Sequence, residues 1–234
     1  MRVDILDLAG FYATPLGARV RTTLARDILR RWPSPADEPI VGYGYVAPYI
    51  GALWPSAQWK LFMPAHQGVM AVSGRGGANC AVLTEAASFP LRADAVGRVM
   101  AIHALETTPF ADDLIAEFRR VLVPGGRLLL VVPKRTGLWA RSDRTPFGVG
   151  RPYSRRQLAH RLEAAGFAVL SLDPALVLPP FVLRRTARIA APVERALRFA
   201  LPAGCWVADL RKQVPAHHRQ SRPLRFGVAQ PAGL

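Results

Sequence analysis

Apolar residues recur at two spacings along this chain, and the switches between them mark out its elements. Over residues 14–31, Val20, Leu24, Ile28 and Leu29 fall on one face with arginines between them, which predicts an amphipathic helix. The sequence Trp32-Pro33-Ser34-Pro35 ends it. A short apolar run closing on Gly42-x-Gly44 predicts a strand and a tight turn. The apolar residues after it, with Pro48 suited to a first helical turn, predict a helix. Residues 58–63, 79–85 and 96–102 predict three more strands, the first two separated by the glycine-rich loop SGRGGAN.

The second half of the chain is more regular. Asp112 and Asp113 favour the positive end of a helix whose apolar face carries Leu114, Ile115, Phe118, Val121 and Leu122 and which runs to Pro124-Gly125-Gly126. The run RLLLVVP has no polar alternation, as expected of a strand covered on both faces. Ser154 is placed to cap the helix SRRQLAHRLEAAG, which stops at Gly166 before the strand FAVLSL. After Pro179-Pro180 a basic amphipathic helix reaches about Leu201, interrupted by Pro192, and GCWVADLRK supplies a last strand. Strands alternating with helices imply right-handed βαβ units. The fold class is therefore α/β, with a doubly wound, mostly parallel sheet.

Composition adds bounds to this picture. Half of the 234 residues are apolar, enough for one substantial core, and no flexible linker divides the chain. A single domain over residues 1–222 is expected, with an N-terminal helical cap (1–33), a core (39–172), a basic helix and last strand (180–213) and a disordered tail (223–234). The net charge is +15, carried mainly by arginine, and residues 184–225 hold ten Arg or Lys against Glu194 and Asp209. Such a surface attracts nucleic acid or anionic membranes, and it equally describes a solvated basic face. Cys80 and Cys205 read as buried thiols, and no ligand cluster suggests a metal. Asp4 and Asp7 argue against a secretory signal and no apolar run is long enough to span a bilayer, so a cytoplasmic location is expected.

The segment EFRRVLVPGGRLLLVVP resembles the helix, PGG turn and fifth strand of class I S-adenosylmethionine-dependent methyltransferases of the small-molecule, type 11 branch. GRPYSRRQLAHRLEAAGFAVL is similar to the segment that follows in that family, and TEAASFPL to the end of its third strand. The resemblance covers residues 39–172. It implies a seven-stranded Rossmann-like methyltransferase fold, with the N-terminal helix and the basic helical insertion before the last strand as additions. It also implies S-adenosylmethionine as cofactor, without a metal, and a small-molecule acceptor.

Carried over position by position, the resemblance assigns Gly42, Tyr43, Gly44 and Tyr45 to the glycine-rich turn beside the cofactor. His66 or Gln67 would bond the ribose, and Glu85 with Ala86 the adenine. His103 follows the fourth strand at the mouth of the cleft, next to the cofactor, as a general base, with Glu106 near it. Tyr49, Phe11 and Tyr12 are placed to line or close the pocket. The chain departs from the family at three places. There is no third glycine near Val46 and no acid after the second strand, and strand four reads Val96-Gly97-Arg98-Val99. Two alternatives therefore stay open: a methyltransferase-like binding or regulatory protein without catalysis, and a methyltransferase associated with RNA or membrane.

Overall fold

The structure, a computed structural model, describes residues 4–34, 39–49, 53, 54, 56–86, 88–142, 144–185 and 190–214. Among these, seven strands form one sheet: β1 (Ile40–Gly44), β2 (Trp59–Pro64), β3 (Ala81–Thr84), β4 (Val96–Ile102), β5 (Leu122–Pro133), β6 (Phe167–Ala175) and β7 (Cys205–Lys212). Their spatial order is β3-β2-β1-β4-β5-β7-β6. The pairs from β3 across to β5 are parallel, and β7 runs antiparallel between β5 and β6.

Period-two alternation in the central strands sends neighbouring apolar residues to opposite faces. Met100, Ile102, Leu129 and Val131 join a core covered by α1 (Ile5–Ala13) and α2 (Pro15–Arg31). Val99, Ala101, Leu128 and Leu130 join the core under α3 (Ala111–Val121) and α4 (Arg155–Ala164). Two buried faces explain why residues 128–132 include no polar side chain. Thr14 makes the corner between α1 and α2: its N–H donates to Phe11 O, and its Oγ1 accepts from Gly17 N. Ser154 and Gln157 form a reciprocal capping box at the start of α4.

Several elements differ from the sequence pattern. Among the described residues directly after β1 there is no α-helical turn before Tyr49. The chain makes a 3-10 turn over Ala47–Tyr49, and residues 50–52 lie outside the described residues. Tyr45 N–H is held by Ile102 O and Val46 presses on Gly42, which draws this segment down onto the sheet. Helix α3 stops at Val121, and β5 pairs already at Leu122. The Pro124-Gly125-Gly126 turn bulges within that strand, where the register jumps from Val96–Leu122 to Arg98–Arg127. Of the basic helix, α5 (Pro180–Arg185) and α6 (Ala190–Ala196) are described, and residues 186–189 between them lie outside the described residues.

The acids of the basic region have structural partners. The Glu194 carboxylate accepts N–H bonds from Val177 and Leu178, both at 2.9 Å. Asp209 accepts from Trp32 Nε1 at 3.2 Å and from the Arg127 guanidinium. Arg198 pairs with Asp27 and Asp173, and Lys212 with Asp94. Arg98, the departure in strand four, stacks over Trp32. The tail expected to be disordered, 223–234, lies outside the described residues. Among the described residues no helix is long and apolar enough to cross a membrane.

Candidate active site

Strand order reverses between β1 and β4, and open α/β sheets take ligands at the carboxyl ends of the strands beside such a switch point. Gly44 ends β1 with φ +77°, and a Cβ there would stand 2.4 Å from Ile102 O. Glycine alone lets the end of β1 lie this close to β4. On the β4 side the next residue, His103, is itself left-handed, with φ 54°. A non-glycine residue in that region stores strain and needs its surroundings to hold it.

The surroundings do so through every polar atom of the residue's side chain and its carbonyl. Gln67 Nε2 donates to His103 O at 2.7 Å and to Thr107 Oγ1 at 2.8 Å. His103 Nδ1 lies 3.2 Å from Glu106 Oε1, and its Nε2 lies 3.0 Å from Tyr12 Oη. Tyr12 Oη is in turn 3.2 Å from Tyr49 Oη. Phe147 closes one side of the imidazole, its centroid 5.1 Å away. All of this is buried, with His103 1% and Glu106 2% exposed.

The row has a direction. As a carboxylate, Glu106 can only accept, so Nδ1 carries the proton and Nε2 presents a lone pair. Tyr12 then donates to Nε2 and accepts from Tyr49. Burial, with Tyr49 beside it, pushes the Tyr12 phenol well above its ordinary value, and burial does the same to Tyr49. Both hydroxyls therefore remain neutral donors across the working range.

The expected site residues are thus sorted. His103, Glu106, Gln67 and Tyr45 converge, Tyr45 lying against Tyr12 with ring centroids 5.5 Å apart. His66 is exposed, its Nε2 3.2 Å from Thr107 Oγ1. Glu85 is exposed and Ala86 half-buried just past β3. Tyr43 stands apart from Tyr45: its ring packs on Phe89 and Phe118 at 5.1 and 5.5 Å. Alternation alone would keep Tyr43 and Tyr45 on one face; the left-handed bend at Gly44 ends the strand and turns Tyr45 to the other side. Gly42 is explained by packing as well, since a Cβ there would meet the Val46 side chain at 2.3 Å. The pattern reading took Tyr12 and Tyr49 as ring surfaces and did not foresee their hydroxyls as partners of His103. Contacts between residues this far apart leave no spacing signal.

The residues present fit an S-adenosyl group by donor chemistry. Four buried polar atoms without a partner sit near the carboxyl ends of four adjacent strands: Tyr43 Oη, Gln67 Oε1, Thr84 Oγ1 and Glu106 Oε2. A buried polar atom left unmet is costly, so these positions favour a ligand rich in hydroxyl and amino groups. No cluster of three or more potential metal ligands occurs among the described residues.

A family model described as a methyltransferase domain matches residues 26–172, more than half of the chain. Among solved structures, a chain of the Haloferax volcanii complex between the Trm112 methyltransferase activator and a methyltransferase is 16% identical. That match covers 91% of this chain and 98% of the other, with a TM-score of 0.61. An S-adenosylmethionine-dependent methyltransferase of Thermotoga maritima is 14% identical over 88% and 94% of the two chains, with a TM-score of 0.60. The cyclase SpnF is 21% identical over 82% and 80%, with a TM-score of 0.54. At these identities the likeness is one of fold. Among curated proteins no sequence matches the chain.

Proposed function

Because the chain belongs to the methyltransferase-domain family, we propose that it methylates a small molecule at an oxygen or nitrogen whose proton is taken by His103. It is a methyl-transfer enzyme, and S-adenosylmethionine is its cofactor. The observation that carries the proposal is the buried row Glu106–His103–Tyr12–Tyr49 at the carboxyl end of β4.

Bound, the cofactor supplies a methyl group already activated by its sulfonium, so little covalent chemistry is left to the protein. The chain contributes alignment and the removal of the acceptor's proton. Glu106 holds the imidazole so that its Nε2 lone pair points outward from the β4 end. In the described arrangement Tyr12 covers that lone pair. An acceptor hydroxyl or amine therefore engages Nε2 by taking the place of the Tyr12 hydroxyl. His66 and Gln67 after β2 are assigned to the ribose, and Glu85 with Ala86 after β3 to the adenine.

Calorimetric titration with S-adenosylmethionine and S-adenosylhomocysteine tests this, using the wild type, Gln67→Ala and Glu85→Ala. Binding that each substitution weakens by about 1–3 kcal/mol supports the assignment. Absence of heat and of thermal stabilisation up to millimolar ligand refutes it. With an acceptor in hand, His103→Gln is expected to keep cofactor binding and lose about 100- to 10,000-fold in turnover.

A further inference from the structure

Past the carboxyl ends of β4 and β5, between the first turns of α3 and α4, the surface opens into a cavity of about 600 Å³. Its wall continues directly from the site. Thr108, Pro109 and Ala111 follow Glu106 in the chain, and Arg151 N donates to Glu106 O at 2.9 Å. Tyr153, also in the wall, donates its hydroxyl to Leu105 O.

The lining is strongly cationic. Arg135, Arg151, Arg156 and Arg161 face it together with His160, and Asp112 is its one acid. Asp112 is engaged by Arg161 at 3.4 Å, and Arg135 spends one nitrogen on Gln157 Oε1 at 3.1 Å. Among the described residues Arg151 and Arg156 form no ion pair, so their charge is uncompensated. The first turn of α3, which borders the same cavity, has no side-chain cap, leaving backbone N–H groups open to a ligand. Self-repulsion among guanidinium groups is unfavourable unless an anion relieves it.

We infer that this cavity holds the methyl acceptor, and that the acceptor carries a phosphate group. The inference rests on the methyltransferase reading of the adjoining site and adds the substrate class to it. One guanidinium fork satisfies both oxygens of a carboxylate. Three arginines with free donors, together with open helix N–H groups, match the larger set of oxygens on a phosphate. A volume of about 600 Å³ leaves room for the rest of a small molecule beyond the anionic group.

The test is calorimetric titration with sodium pyrophosphate at low ionic strength, compared with succinate. It is run on the full chain, on Arg151→Gln/Arg156→Gln and on the equally charged control Arg21→Gln/Arg26→Gln on α2. Pyrophosphate binding tighter than succinate, weakened at least about tenfold by the cavity pair and unchanged in the control, supports the inference. No pyrophosphate binding, equal affinity for succinate, or equal weakening in the control overturns it. Sedimentation with phosphatidylglycerol vesicles separates the sources of the phosphate. Attachment lost in the cavity pair assigns a lipid headgroup, and soluble binding without attachment assigns a free phosphate compound. S-adenosylhomocysteine titrated in parallel keeps the two readings apart. Binding of it without pyrophosphate defeats only the acceptor class, and pyrophosphate binding without it defeats the methyltransferase site.

Discussion

Tyr12→Phe removes one oxygen and leaves the aromatic ring in place against Tyr45, Tyr49 and Phe11. The lost hydroxyl makes two bonds, at 3.0 Å to His103 Nε2 and 3.2 Å to Tyr49 Oη. Tyr49 is 0% and His103 1% exposed, so water does not replace the missing partner. Each bond contributes about 0.5–1.5 kcal/mol net, and a buried group left unmet costs about 1–3 kcal/mol. A destabilisation of about 2–3 kcal/mol follows. With a urea dependence of roughly 2–3 kcal/mol per molar, the midpoint falls by about 1 M. Equilibrium urea unfolding followed by far-ultraviolet circular dichroism measures it. A midpoint within about 0.2 M of the wild type would falsify the buried hydroxyl row. The double variant with Tyr49→Phe adds a second check: because the two residues share one bond, their losses should sum to less than additive.

Gly44→Ala puts a Cβ 2.4 Å from Ile102 O at a φ of +77°, so a loss of about 2 kcal/mol or more is expected in thermal unfolding. Ser154→Ala deletes the capping box of α4 and should cost about 1 kcal/mol by the same measurement. Two buried glutamates should give pH profiles of opposite sign. Burial raises the Glu194 carboxyl despite the N–H groups of Leu178 and Val177. Relative to Glu194→Gln, the wild type should therefore lose stability as pH rises from the unfolded value of about 4.3 through the raised folded value. For Glu117, burial pushes upward but is outweighed by hydrogen bonds from Arg120 and Phe89 N–H and by the Arg120 charge, so its value is lowered. The wild type's advantage over Glu117→Gln should be full above about 4.3 and disappear as pH falls through the lowered folded value, in unfolding curves recorded across acid pH.

The sheet was legible where local signals are strong. The cap at Ser154, the stop at Gly166, the doubly apolar run of β5 and the glycine turn after β1 each follow from neighbours in sequence. The PGG turn was legible as a turn but not as a bulge inside β5, because its register depends on pairing with β4. Directly after β1 a hydrogen bond from Tyr45 to Ile102 and the seat of Val46 on Gly42 hold the first residues of the stretch against the sheet, which the apolar spacing does not show. In the site, His103 and Glu106 stand out because they are polar residues directly after an apolar strand. The partners of His103 from α1 and from the turn after β1 were invisible as partners, since only the fold brings them together. Tyr43 and Tyr45 look equivalent in sequence, and the left-handed bend at Gly44 sends them to different cores. The arginines of the cavity were hidden for another reason. In a chain this basic, Arg135, Arg151 and Arg156 are indistinguishable from the solvated majority until their shared cavity is seen.

The place of β7 between β5 and β6 bears on how the chain is made. Strand β6 pairs only with β7, and β7 leaves the ribosome after all the other strands. During synthesis β5 therefore ends the growing sheet with an open, apolar edge while β6 waits without a ladder. An exposed edge of this kind templates aggregation until it is covered. A chain stopped before Cys205 would carry every residue of the buried imidazole row yet leave that edge bare. Chaperone dependence and aggregation of nascent or truncated forms are thus decided by the last strand, which contributes nothing to the imidazole row.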